Sequence, residues 1–168
     1  GDDVLIGGTI ITGTASKTVI VRARGPSLAQ FDVNGAIADP MLELYDQAGN
    51  LLGQNDSWQT DPGHANLGSL APGDPLEATM TVTLGPGAYT AIVRGAGGTT
   101  GIGIVEVFEQ NAADEPRLAN IATRGFVGVG DNVLIGGLIV GGAEQQTVLV
   151  RARGPSLAAF NVQGALAD

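Results

Sequence analysis

The sequence predicts an all-β protein, an antiparallel β-sandwich that recurs along the chain with a period of 129 residues. Short segments of alternating apolar and polar residues are separated by Gly- and Pro-rich turns, with no helical stretch between them. The 168 residues include 27 Gly and 8 Pro but only 1 Trp, 2 Tyr and 4 Phe. The core must therefore come from Val, Ile, Leu and Ala, and the β-branched residues among these favour strands.

The repeat consists of two copies of one segment, residues 1–39 and 130–168, which are identical at 26 of 39 positions without a gap. A period of this length fits a whole domain rather than a solenoid unit. We expect a β-sandwich domain over 1–110 that lacks its first strand, and a linker over 111–117. Residues 118–168 would be the first strand and N-terminal part of the next repeat. The absence of an initiator Met and a signal peptide fits a mature or internal fragment.

The first copy predicts two strands, residues 4–12 and 18–24, joined as a hairpin by the polar turn 13–17. In the second strand, Val19 and Val21 share one face while Arg22 and Arg24 share the other. The Gly-Pro pair that follows ends the strand, because proline offers no N–H to the sheet.

The middle of the chain predicts a second hairpin, with strands at 41–46 and 51–52 and a turn at 47–50. The segments 55–65 and 68–75 have the composition of loops. Residues 77–84 alternate strictly, so we expect the threonines of this strand to face solvent. Further strands are expected at 89–93 and 101–108, and 118–127 should form the strand that leads into the second copy.

Three runs carry a family resemblance: LELYDQAGNLLGQNDSW, TVTLGPGAYTAIVRG and LANIATRGFVGVGDNVLIGGLIVGG with the following VLVRARGPSL. They resemble a domain repeated in large secreted or surface proteins of environmental bacteria. The middle portion is also similar to the pre-peptidase C-terminal β-sandwich modules of secreted enzymes. The resemblance implies an extracellular or cell-surface location and a jelly-roll- or immunoglobulin-like sandwich, and it transfers no catalytic residue.

Charge and composition argue against several function classes. The net charge is −9 and Lys17 is the single lysine, which disfavours nucleic acid as a partner. No apolar run approaches the roughly 20 residues that span a bilayer, so membrane insertion is not expected. The single histidine, His64, lies in a Gly- and Pro-rich loop, and Ser27 lacks a Gly-x-Ser-x-Gly context. We therefore expect no enzyme activity.

Two candidate sites fall on the loops of the middle region. Hard oxygen ligands suited to calcium are supplied by Asp46, Asn50, Asn55, Asp56 and Asp61. The same residue types also cap turns by bonding their own backbone, with no metal involved. Asn55 begins the only N-x-S/T sequon and is a candidate glycosylation site. No cofactor other than calcium is expected.

The arginine pair Arg22 and Arg24 recurs intact as Arg151 and Arg153. Such a pair could grip an acidic sugar or join structural ion pairs, with Asp39 and Glu43 as partners. We favour a salt bridge between successive units.

The leading interpretation is a structural extracellular module that builds a filament, stalk or surface layer as a head-to-tail homopolymer. The strand 118–127 of one unit would fill the open edge of the next. The side chains expected to be donated are Leu118, Ile121, Phe126 and Val127. The alternative is a carbohydrate- or calcium-binding module of a secreted enzyme or adhesin, with glycans as partners.

Overall fold

The computed structural model describes residues 4–110, 118–130, 133–140, 143 and 145–167, and its contacts divide the chain into two units, Gly1–Phe126 and Val127–Asp168. The predicted linker 111–117 lies outside the described residues. All described strands belong to the first unit: β1 (Leu5–Ile11), β2 (Lys17–Arg24), β3 (Pro40–Asp46), β4 (Leu51–Asn55), β5 (Ala78–Leu84), β6 (Gly87–Gly95), β7 (Ile104–Glu109) and β8 (Leu118–Arg124). Short 3-10 helices span Pro26–Phe31, Trp58–Thr60, His64–Asn66, Gly68–Leu70, Ala96–Gly98 and Pro155–Phe160.

The strands form two antiparallel sheets, which confirms the all-β fold. The larger sheet has the order β4-β3-β6-β1-β8 and the smaller one the order β5-β2-β7. One apolar core is built from residues of both sheets, as in a sandwich. Its buried members are Ile11, Val19, Val21, Ala23, Leu42, Leu44, Ala78, Met80, Leu84, Ala91 and Val93.

One predicted hairpin is confirmed and the other is wrong. Strands β3 and β4 pair antiparallel around the Asp46–Asn50 turn, as the sequence indicates. Strands β1 and β2 do not pair, because β1 lies between β6 and β8 while β2 lies between β5 and β7. The physical reason is burial: Ile11 and Val19 contribute to one core from opposite sheets, so residues 12–16 cross between the layers.

Alternation predicts a solvent-exposed threonine face on β5, but only Thr83 is exposed, while Thr81 is half-buried and Thr79 is buried. Thr79 is 0% exposed, because residues 56–77 run across the outer face of the smaller sheet. Gly63 of this segment lies against the Thr81 side chain, and the Leu70 carbonyl accepts a 2.6 Å hydrogen bond from Arg22. This segment, which we call the cover, therefore adds a third layer over part of the sandwich.

The second unit contains the second copy of the repeat. Its Pro155–Phe160 3-10 helix is formed, whereas no strand is present among its described residues. Apolar side chains such as Val148, Leu149 and Val150 are exposed there. Across the described part of the whole chain, no helix has the length and apolar character needed to cross a membrane.

Close packing of β7 on β1 leaves little room for a side chain at Gly7, and the neighbouring Gly8 provides a control. A Cβ at Gly7 would lie 2.8 Å from Val105 Cγ1, whereas a Cβ at Gly8 meets nothing closer than 3.6 Å. We expect Gly7→Ala to destabilise the protein by about 1–3 kcal/mol through overpacking, and Gly8→Ala by less than about 0.5 kcal/mol. Urea unfolding measures both, and equal midpoints for the two variants would contradict this account.

Candidate functional site

The predicted donor strand lies beside β1. The register of β8 on β1 runs from Ile6 opposite Arg124 to Ile11 opposite Leu118. The Thr9 hydroxyl also donates a 3.1 Å hydrogen bond to the Asn120 carbonyl. The chain thus places β8 directly before the second copy of the repeat, yet β8 pairs with the first strand of the first copy.

The four residues expected to be donated do not behave alike. Leu118 packs against the core, and Ile121 lies opposite the buried Thr9 while remaining 48% exposed at the sheet margin. The strand ends at Arg124, three residues before the predicted end, so Phe126 and Val127 lie beyond it. The donated apolar surface of β8 therefore comes from its first half.

Arg22 is held inside the first unit. Its guanidinium lies 2.7 Å from Glu106 on the neighbouring strand, donates to Leu70 of the cover and stacks at 5.1 Å from the Phe108 ring. Its side chain is only 10% exposed. The partners proposed from the sequence were incorrect, since Glu43 pairs with Arg94 at 3.1 Å instead. Arg22 ties β2, β7 and the cover together.

Arg24 takes part in a buried carboxylate clasp that the sequence analysis did not identify. Glu77 is 0% exposed, and its Oε1 accepts hydrogen bonds from Gly25 N, Ser27 N and Ser27 Oγ at 3.0, 3.0 and 2.6 Å. Arg24 donates to Ser27 Oγ and lies 3.9 Å from Glu77 Oε2. The clasp gives Arg24, Gly25 and Ser27 of the recurring pattern a structural role, while Glu77 Oε2 has no hydrogen-bond partner among the described residues.

The second copy builds the same turn. Arg153 donates a 3.0 Å hydrogen bond to Ser156 Oγ and lies 5.4 Å from the Phe160 ring. In the first copy the matching distances are 3.0 Å from Arg24 to Ser27 and 5.8 Å from Arg24 to the Phe31 ring. The turn therefore has the same local structure, with the same Arg–Ser hydrogen bond, in both copies.

The predicted calcium ligands separate into two groups. Asp46 accepts hydrogen bonds from Ala48 N, Asn50 N and Asn50 Nδ2 at 2.8–2.9 Å, which closes the β3–β4 turn. These bonds, first of all that from the Asn50 side chain, lower the pKa of Asp46 below its ordinary value. Their contribution to stability is present above the unfolded-state pKa and is lost as the pH falls through the folded value. Asp56 is exposed on the cover.

Asn55 and Asp61 instead cap the free edge of β5. Asn55 Oδ1 accepts a 3.1 Å hydrogen bond from Thr79 N, and Asp61 Oδ1 accepts one of 3.1 Å from Thr81 N. Both N–H groups face away from β2, so these side chains occupy positions that another strand would otherwise use. The Asn55 amide nitrogen, where a glycan would be attached, donates to Thr60 Oγ1 at 2.9 Å.

Asn55 and Asp61 also line one cavity of about 300 Å³ between β4 and β5. Asp61 is buried, and its Oδ2 is without a hydrogen-bond partner among the described residues, as is the Thr81 hydroxyl. Within those residues, however, no three His, Asp or Glu side chains gather as a metal-binding group would require. The cavity therefore offers one carboxylate and neutral oxygens.

Comparison with known proteins adds no assignment. No family model, curated protein or solved structure matches this chain.

The clasp predicts an asymmetry between two glutamates. Glu77→Gln should cost about 2–4 kcal/mol of unfolding free energy, because it removes a buried charge that accepts three hydrogen bonds and faces Arg24. Glu43→Gln removes a half-exposed pair with Arg94 and should cost less than about 1 kcal/mol. Urea denaturation of both variants tests this, and a larger loss for Glu43→Gln would disprove the clasp.

Proposed function

We propose that this chain is a structural, extracellular repeat module that builds a filament, stalk or surface layer by head-to-tail strand complementation. In the assembled state, β8 of one unit occupies the place beside β1 of the next unit. The partner is another copy of the same chain, and the proposal assigns no catalytic residue.

One observation carries the proposal: β8 precedes the second copy in sequence but completes the sheet of the first copy. A strand that completes a unit other than the one it introduces in the chain is the element that strand exchange requires. Residues 111–117 separate Gln110 from Leu118 in the sequence, which is longer than a two-residue hairpin loop. The same β8–β1 register can form within one molecule or between two.

The free energy of β8–β1 pairing favours a stable contact between units. The seven-residue β8 forms backbone hydrogen bonds at about 1 kcal/mol net each and buries apolar surface through Leu118 and part of Ile121. A β8 placed on the next copy makes a heterologous contact, which continues as a fibre unless the rotation between units closes a ring.

Side chains cap one outer edge of the sandwich. At one margin, Asn55 and Asp61 cap the β5 edge. At the other margin lie β7 and β8, the outer strands of the two sheets. The β5 edge of the smaller sheet is therefore obstructed for strand addition at Thr79 and Thr81.

The strand itself provides the test. Leu118→Asp with Ile121→Asp places two carboxylates on the inner face of β8, so we expect assemblies to dissociate to monomers of lower stability. Sedimentation velocity and negative-stain microscopy of wild type and variant at equal concentration measure this.

The matched control is Asn120→Asp, which adds a charge on the outer face of the same strand, opposite Ile10. This variant should assemble as the wild type does. Assembly that survives the inner-face pair, or that both variants abolish equally, would refute strand complementation.

A second candidate function, calcium binding, has one observation in its favour, the buried Asp61 Oδ2 in the cavity beside Asn55. Carboxylate, hydroxyl and amide oxygens are ligands that calcium takes. The expected outcome is a higher midpoint of thermal unfolding when CaCl₂ is added to the wild type, with no rise for Asp61→Asn. Asp46→Asn serves as the control, and an unchanged wild-type midpoint rules this candidate out.

A further inference from the structure

The loop between the Pro26–Phe31 helix and β3 contains the one Asn-Gly step of the chain, Asn34-Gly35. Both residues are exposed, whereas Ile37 of the same loop is 5% exposed. In such a step the side-chain amide carbon is one ring closure away from the next backbone nitrogen, and glycine has no Cβ to hinder that closure. The loop therefore presents a reactive pair of groups to solvent.

Neither reacting group is tied up in the part of the chain that the structure describes. The Asn34 side chain makes no hydrogen bond there, and the Gly35 N–H donates to no other group. The loop is instead held just beyond the reacting nitrogen, because the Gly35 carbonyl accepts from Ile102 N at 2.9 Å and Ile37 N donates to the Ile102 carbonyl at 2.8 Å. Attack by the Gly35 nitrogen thus gives up no backbone hydrogen bond of its own, a loss that would cost about 1 kcal/mol in a strand.

The second copy of the repeat provides the same turn with a different side chain. The step at this place is Gln163-Gly164, and both of its residues are exposed as well. Gly164 has a φ angle of 67° and Gly35 one of 77°, so both glycines lie in the left-handed region. The two turns thus differ in the length of the amide side chain that would have to react, which is one methylene group longer in the second copy.

We propose that Asn34 is a site of spontaneous covalent modification, at which the Asn34-Gly35 step converts itself through a cyclic imide. The Gly35 nitrogen attacks Asn34 Cγ, a new N–Cγ bond forms and the Cγ–Nδ2 bond breaks. The side-chain nitrogen leaves as ammonia and carries away the proton of the Gly35 N–H. Water then opens the imide at either carbonyl, which yields an aspartate or a β-linked isoaspartate. Water is the one co-reactant, and the net charge of −9 becomes one unit more negative.

The modified loop lies against the turn of the carboxylate clasp. Ile37 packs on this turn so closely that a Cβ at Gly25 would lie 2.6 Å from Ile37 Cγ2. The β-linked product adds one carbon to the main chain immediately before the two hydrogen bonds to Ile102. In a structural module of the kind proposed above, the product would mark old material with an added charge, although the reaction itself requires no assembly.

Incubation of the full-length, folded chain tests the site. Peptide mass spectrometry after storage in mildly acidic and mildly basic buffer follows the mass gain from amide to acid at Asn34. We expect faster conversion in the basic buffer, because the backbone nitrogen attacks in its deprotonated form. Gln163 should convert at least about tenfold more slowly, because its longer side chain must close a larger ring from more conformations.

Two substitutions at exposed positions exchange the chemistry between the matched turns. Asn34→Gln should lower conversion in the first copy to the level of Gln163, and Gln163→Asn should create a second converting site in the same chain. Circular dichroism verifies that both variants are folded. Wild type unfolded in urea supplies the rate that the sequence alone dictates. The folded chain should convert at a similar rate, because the Gly35 N–H has no partner among the described residues.

Conversion confined to the unfolded chain, or conversion at Asn34 no faster than at Gln163, would overturn the proposed site. Wild-type conversion that Asn34→Gln leaves unchanged would overturn it as well. None of these readouts measures assembly, so failure here leaves strand complementation by β8 standing, and failure of the inner-face β8 variant leaves the modification of Asn34 standing.

Discussion

Strand β1 is hydrogen-bonded on both of its edges, and this pairing joins β8 to the rest of the larger sheet. One neighbour, β6, precedes the segment 111–117 in the sequence, and the other, β8, follows it. Without β8, β1 would be the edge strand of the larger sheet, and its backbone groups on that edge would be unpaired. Completeness of the larger sheet thus depends on residues that lie shortly before the second copy of the repeat in the sequence.

The clasp around Glu77 sets the second constraint, because it joins the end of β2 to the start of β5. A fully buried carboxylate is tolerated here since three hydrogen bonds and a guanidinium surround it. The clasp fixes where the chain leaves the smaller sheet after Arg24. The turn itself is formed in both copies, with the arginine donating to the serine in each, which relates the recurring pattern to folding rather than to ligand chemistry.

Local pattern predicted the strands well and their partners poorly. Alternation located β3, β5 and β6 within a few residues, and the turn at Asp46 predicted the one hairpin that forms. Alternation could not show that β1 and β2 belong to different sheets, since an apolar face looks the same whichever layer covers it. The one signal of the cover was Ile20, an apolar residue on the face that Arg22 and Arg24 otherwise make polar.

The candidate site was also predictable only in part, because local pattern identifies apolar residues but not the residues that they contact. Leu118 and Ile121 were expected to be donated side chains, with Phe126 and Val127, because they are apolar. Leu118 and Ile121 are three residues apart, and both lie opposite buried residues of β1 because the register shifts between Ile10 and Ile11, which no sequence pattern displays. The partner of Arg22 is Glu106, 84 positions away, and no spacing rule connects two residues brought together only by a sheet register. Asn55 and Asp61 were assigned to calcium by residue type, whereas the structure shows their oxygens accepting from the β5 backbone.

The cover over part of the smaller sheet has a consequence for aggregation at high protein concentration. Newly made molecules that lie close together can aggregate through exposed sheet edges. This chain has no cysteine, so no disulfide stabilises its fold against the unfolding that exposes further edges. Here the cover shields part of the smaller sheet, and Asn55 and Asp61 occupy backbone N–H groups at the β5 edge, so side-to-side strand pairing is disfavoured at that edge.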